Sequence, residues 1–305
     1  MFRSRKYRHD NEQLILALSI VLVLAVIILL STVTFCVSGV FILGMFVISA
    51  LMIRSHHRSL MQHTMTIDQH TAPDLAEVVD ECAAKLQPGQ VDVFVANQNQ
   101  LNAYTFGLSE PKALVLYAPL FKVMSAGELK FIIGHEMGHV ALGHTWLNTI
   151  LGGMAGIPAP FGASVILYAV FRWWNRMCEF SADRAGLLAC GDKNYAVSAL
   201  VKLVAPEVRT KREFEQALAL IDAEDDRVAN RMNEVFQSHP MLIRRINELL
   251  EYTRTAEYAR MQAGVNRNVG GHAGGVSEQP AKKTAEKPPP KSPEERWPWL
   301  RRIED

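Results

Sequence analysis

The run Gly134-His135-Glu136-Met137-Gly138-His139 decides how this chain is read. On a helix, residues four apart share a face. His135 and His139 therefore aim two imidazoles at one point, with Glu136 alongside. Two nitrogen donors on one turn suit a zinc ion, and the neighbouring carboxylate is placed to take a proton from water there. A pair of hydrogen-bonded core histidines would leave Glu136 unexplained. The flanks supply the helix. Ser125-Ala126-Gly127-Glu128 has the spacing of a capping box, and Leu129, Phe131, Ile132 and Ile133 give a face to bury.

A catalytic zinc takes three protein ligands and leaves one position open. A third histidine ten residues after the first is one solution, but Thr145 stands there. His144 falls one residue short and reads as a surface histidine or as a support behind a ligand. The other solution is a glutamate from a later helix. Glu179-Phe180-Ser181-Ala182-Asp183 offers Glu179 as the third ligand. Asp183, one turn on, can hydrogen-bond the free nitrogen of a ligand imidazole and fix its tautomer. Cys178, Phe180, Ala182, Ala185, Leu187 and Leu188 make this helix mostly apolar. Two carboxylates in such surroundings need a cationic partner.

His135-Glu136-x-x-His139 followed by Glu179-x-x-x-Asp183 resembles the membrane-associated gluzincin peptidases. That group includes the HtpX proteases, the CAAX prenyl proteases and the mitochondrial stress proteases. Two further stretches match its pattern: Asn102-Ala103-Tyr104-Thr105-Phe106-Gly107, and Ser238-His239-Pro240 with Arg245-Ile246 six residues after the histidine. The likeness covers roughly residues 70 to 255. It implies an α+β, mainly helical, zincin-like domain with a small sheet packed on the zinc helix, hydrolysing peptide bonds with one zinc. His135, His139 and Glu179 would be the ligands, Glu136 the general base and Asp183 the group behind a ligand. His239 and Arg245 would face the zinc, where a positive or hydrogen-bonding group stabilises the oxyanion. Pairing with Asp183 or Glu179 is a second role open to Arg245. Asn102, Ala103, Tyr104, Thr105 and Phe106 would form the sheet edge that holds an extended substrate, although Tyr104 and Phe106 also suit a core.

Outward from this centre the chain is strongly partitioned. Residues 1–13 form a basic N-terminus with Arg3, Arg5, Lys6 and Arg8. Residues 14–53 then run without a charge. A single spanning helix needs about 20 apolar residues, so this run fits a transmembrane hairpin of two helices. Arg54 and Arg58 follow it, and basic flanks on both sides place both ends in the cytoplasm. Residues 54–70, with His56, His57 and His63, read as a linker without fixed ligand spacing. A helix is expected over 72–86, short strands over 91–95, 102–106 and 113–117, and the catalytic domain over 71–262.

Residues 147–171 are again uncharged but interrupted by Gly152, Gly153, Gly156, Pro158, Pro160 and Gly162. They read as a membrane-associated or buried helical hairpin, with Trp173 and Trp174 suited to the bilayer interface. Helices are expected over 193–206, 211–232 and 244–262. Residues 263–305, rich in Gly, Pro and Lys, read as a flexible tail in which Trp297 and Trp299 form a possible docking motif.

The 305 residues carry a net charge of +1, so no global charge points to nucleic acid. Cys36, Cys82, Cys178 and Cys190 show no paired spacing and read as reduced thiols of a cytosol-facing domain. The expectation is an integral protein of the bacterial inner membrane, with its catalytic domain and both termini cytoplasmic, cleaving membrane proteins. Two alternatives stay open: a zinc-stabilised scaffold without turnover, and a CAAX-type prenyl protease.

Overall fold

Helices carry most of the structure, and the sheet is small. The computed structural model describes residues 7–34, 64–155, 163–204, 240–272 and 293–300, with isolated positions between 44 and 58. The elements are α1 (Glu12–Thr34), β1 (Met65–Thr66), α2 (Pro73–Leu86), β2 (Val91–Ala96), β3 (Ala103–Phe106), β4 (Lys112–Tyr117), α3 (Pro119–Val123) and α4 (Ala126–Ala141). After these come α5 (His144–Ala155), α6 (Ala163–Cys190), α7 (Lys193–Val204), α8 (Pro240–Thr253), α9 (Ala256–His272) and α10 (Pro293–Arg296). An α+β, mainly helical domain is thus what forms.

The three expected strands are present as β2, β3 and β4, in a four-stranded sheet of order β1-β2-β4-β3. β2 and β4 pair in parallel, and β3 pairs antiparallel with β4 as the last strand. Strand alternation sorts the side chains. Val93, Val95, Leu114 and Leu116 join the main core beneath the helices, while Phe94, Phe106, Ala113 and Val115 form a smaller cluster on the other face. Met65 and Thr66, in the stretch expected to be only a linker, add a short antiparallel strand on β2.

α4 begins where the capping box places it. Ser125 N–H donates to Glu128 Oε2 at 2.6 Å, and Glu128 N–H returns to Ser125 Oγ at 3.4 Å. The helix is buried along nearly its whole length, and its contact with α6 is the most extensive between any two elements. Small residues allow this. A Cβ on Gly134 would stand 2.3 Å from Ala189 Cβ, and one on Gly138 2.5 Å from Ala185 Cβ. The two glycines sit directly before the two histidines, so the residues that let the helices touch also bring the imidazoles against α6.

Several expectations need correction. α6 runs unbroken to Cys190, so the apolar hairpin and the Glu179 segment share one helix. Its partner arm is α5; residues 156–162 lie outside the described residues. Trp174 is buried against Ile15, Met177, Cys178 and Phe180 rather than at an interface, while Trp173 is exposed. The helix expected over 244–262 is two helices, α8 and α9, separated at residues 254–255. The presumed tail is not wholly a tail. α9 reaches His272, and Trp297, Trp299 and Leu300 are buried, with both indoles edge-on to Phe121 at 5.6 and 4.9 Å between ring centroids. The basic N-terminus docks too: Tyr7 is fully buried in the main core. The helix expected over 211–232 lies outside the described residues.

α1 packs its base on α6 and then leaves the domain. Ile15 and Ser19 are buried, whereas Val21, Leu24, Ile28 and Leu29 are more than half exposed. Taken over the described residues, no helix is long and apolar enough to cross a membrane. The rest of the 14–53 run lies mostly outside the described residues. Cys82, Cys178 and Cys190 are free thiols.

Candidate metal centre

α4 supplies two imidazoles and α6 one carboxylate to a single spot. His135 Nε2 and His139 Nε2 lie 3.2 Å apart. Glu179 Oε2 is 3.6 Å from the first, and Glu179 Oε1 is 3.5 Å from the second. These three residues form one of two groups that could hold a metal ion among the described residues. Bonds of about 2.0–2.1 Å in tetrahedral array separate neighbouring donors by about 3.3 Å. The three spacings are close to that edge, so the donor set fits a zinc ion by size as well as by type. Both histidines are buried, and Glu179 is 27% exposed on its side chain, which leaves one side of the group facing solvent.

Behind His135 stands Asp183. His135 Nδ1 lies 2.9 Å from Asp183 Oδ1. A carboxylate only accepts, so Nδ1 carries the proton and Nε2 turns its lone pair to the site. Asp183 is 1% exposed, and Arg245 on α8 clamps it. Arg245 Nε and Nη2 donate to the two Asp183 oxygens at 2.8 and 2.6 Å, and Nη1 reaches Glu179 Oε2 at 3.1 Å. Burial alone would raise both carboxyls; the guanidinium together with the neighbouring imidazoles outweighs it and holds them below the usual range. Burial likewise lowers the His139 imidazole, yet Glu179 and Glu136 beside it leave it raised. The spot favours positive charge.

Glu136 is buried on α4 between the two histidines in sequence, and its charge is felt by both His139 and Arg245. β3 runs past the same helix and is tied to α5. Thr105 Oγ1 lies 3.2 Å from Thr145 Oγ1, and Gly107 N–H donates to Thr149 Oγ1 at 3.0 Å. Asn102 is exposed just before the strand, and its Oδ1 accepts from Ala103 N–H at 3.0 Å. Tyr104 and Phe106 pack with Tyr117, Phe94 and Val115 on the face away from α4. His239 lies outside the described residues.

His144 is 1% exposed, so it is no surface histidine; burial pushes its pKa down to about 4. Its Nδ1 lies 3.0 Å from His139 Nδ1, and its Nε2 2.9 Å from Glu12 Oε1. Glu12 went unnoticed in the sequence. A lone acid at the edge of an apolar run has no local pattern to mark it.

The model of Peptidase family M48 matches residues 69–253. The chain belongs to that family. The resemblance read from the four motifs is therefore borne out. Among similar proteins, the plastoglobule-localized metallopeptidase 48 of Arabidopsis thaliana chloroplasts is 28% identical over 220 residues. That alignment covers 67% of this chain and 64% of the relative. Protease HtpX homologs of Burkholderia multivorans and Burkholderia cenocepacia are 24% identical over 233 residues, 65% of this chain and 80% of theirs. No solved structure matches.

Proposed function

We propose that this M48 member is a membrane-anchored, zinc-dependent endopeptidase of the gluzincin type, working in the quality control or processing of membrane proteins. One observation carries the reading: two imidazole nitrogens and a carboxylate oxygen stand 3.2–3.6 Å apart at a spot open on one side. His135, His139 and Glu179 would hold the ion. When bound, zinc supplies Lewis acidity and lowers the pKa of water beside it.

The chain's own residues do the rest. Glu136 accepts the proton of the attacking water and passes it to the leaving amine. β3, the last strand of the sheet, holds an extended peptide through backbone hydrogen bonds, with Asn102 to Phe106 as its reading surface. His239, following the family motif, donates to the oxygen of the attacked carbonyl. Arg245 is committed to Asp183 and Glu179 and holds them in place.

The exposed apolar stem of α1 supports membrane anchoring, since contiguous apolar surface seeks an apolar partner. In this reading α1 is the first arm of the 14–53 hairpin, in a bacterial inner membrane, with the domain on the cytoplasmic side.

Elemental analysis and a cleavage assay together test the proposal. Wild type should carry one zinc per chain, and His135→Ala and Glu179→Ala almost none. Glu136→Gln should keep the zinc and cleave an unfolded membrane protein at least about 100-fold more slowly. Zinc retained in Glu179→Ala would remove the third ligand. Full loading with no cleavage by wild type would leave a scaffold, and preference for a prenylated peptide would make this a prenyl protease.

A further inference from the structure

His139 is supported by a relay that ends outside the family match. In an uncharged His144, Nε2 carries the proton because Glu12 can only accept it. His144 Nδ1 then keeps its lone pair, and the hydrogen between the two Nδ1 atoms belongs to His139. That sets His139 Nε2 as a lone pair aimed at Glu179 and His135. Glu12 is 0% exposed and firmly held. Arg8 and Ser181 both bond its carboxylate. His9 N–H donates to Ser181 Oγ at 2.8 Å, and Arg8 Nη2 donates to Leu142 O at 2.7 Å. Gly143, with φ of +79°, ends α4 so that His144 folds back onto His139.

The geometry points to Glu12, acting through His144, as the positioning residue for His139, so that seating the base of α1 on the domain sets metal affinity. This inference rests on the zinc reading above. Residues 8–12 precede the matched region 69–253, so the support comes from the part of the chain that leads into the apolar run. Glu12, His144 and Cys178 are also close enough to be metal donors themselves. However, Glu12 is already bonded by Arg8, Ser181 and His144, and a guanidinium at that carboxylate repels a second cation.

The test uses the full chain in detergent and a chromophoric chelator competing for zinc. Removing a group behind a metal ligand costs about 10–100-fold in affinity. Glu12→Ala and His144→Ala should each fall in that range, with the neutral Glu12→Gln near its lower end. The double variant Glu12→Ala/His144→Ala should be no weaker than His144→Ala alone, because one relay is broken once. The cobalt-loaded visible spectrum should shift in Glu12→Gln. Lys202→Met, which weakens the start of α4 far from the site, should lower the unfolding midpoint and leave affinity and spectrum unchanged.

Wild-type affinity and an unshifted spectrum in Glu12→Gln and Glu12→Ala would overturn the inference, provided wild type binds one zinc that His135→Ala loses. An affinity loss matched by Lys202→Met at equal loss of stability would overturn it too, by showing a merely structural effect. Two zinc ions per wild-type chain, one of them absent from Glu12→Ala, would make Glu12 a ligand instead. Failure of wild type to bind zinc any better than His135→Ala is a different result: it sinks the zinc reading itself, and this inference with it.

Discussion

His135 and His139 sit one helical turn apart and point the same nitrogen at the same spot, yet different parts of the chain hold them from behind. His135 meets its carboxylate directly, at Asp183, and Arg245 locks that carboxylate with two hydrogen bonds. His139 meets another imidazole, and its carboxylate, Glu12, lies one ring further away. The first arm is built wholly from residues within the family match; the second reaches back to the base of α1. One histidine is therefore backed from inside the matched domain and the other from the base of α1.

The largest expected effect comes from breaking the first arm at Arg245. Arg245→Ala leaves buried Asp183 with His135 but without its guanidinium, and Glu179 without its cation. Removing one member of a buried pair costs about 3–5 kcal/mol. Urea unfolding of the metal-free protein should show a loss of at least about 3 kcal/mol. Arg245→Lys should recover less than half of it, because an ammonium cannot reproduce a fork that reaches both carboxylates. A loss below about 1 kcal/mol, the range of an exposed pair, would mean that the two arms are equally loose.

Asp183→Asn sharpens the contrast further. The amide can still contact His135 Nδ1 but loses the charge that makes the imidazole a better donor. Zinc affinity should drop by up to about 100-fold, or about 2.7 kcal/mol. That loss should exceed the one in Glu12→Gln, where the altered charge is separated from the ligand by a ring. Equal losses would erase the distinction between direct and relayed support. Chelator competition on both variants, side by side, decides the point.

Much of the first arm was legible because its rules are local. His135, Glu136 and His139 follow from helical spacing, and Ser125 with Glu128 from the capping box. Glu179 and Asp183 are one turn apart on a helix too apolar to keep lone charges. Arg245 was legible only as a choice between two roles, and the structure shows it paired with both carboxylates. Gly134 and Gly138 carried a signal that went unread: small residues one turn apart, each preceding a histidine, mark a close helix contact.

Glu12 was beyond reach, since its partner His144 lies 132 residues away and no periodicity links them. Trp297 and Trp299 were hidden by the Lys- and Pro-rich sequence before them, although two indoles two residues apart bury far more apolar surface than such a segment usually offers. Composition describes a segment's average tendency; a few large rings decided where this one went.

The smallest expected effect calibrates the others, because it lies in the same helix but away from both arms. Glu128 is buried at the start of α4. Burial raises its carboxyl, but bonds from Ser198, Ser125 N–H and Lys202 outweigh burial and hold it below the ordinary value of 4.5. A lowered folded-state pKa contributes stability at pH values above the unfolded value, and that contribution is lost as pH falls through the folded one. Unfolding free energy should therefore decline below about pH 4.5 partly through Glu128. Lys202→Met removes one of its donors, so the variant should lose about 1 kcal/mol near neutrality and show a shallower acid decline. Its zinc affinity should equal that of wild type. If it instead lost affinity as Glu12→Gln does, α4 would be transmitting any loss of stability to the metal, and the two arms would differ only in name.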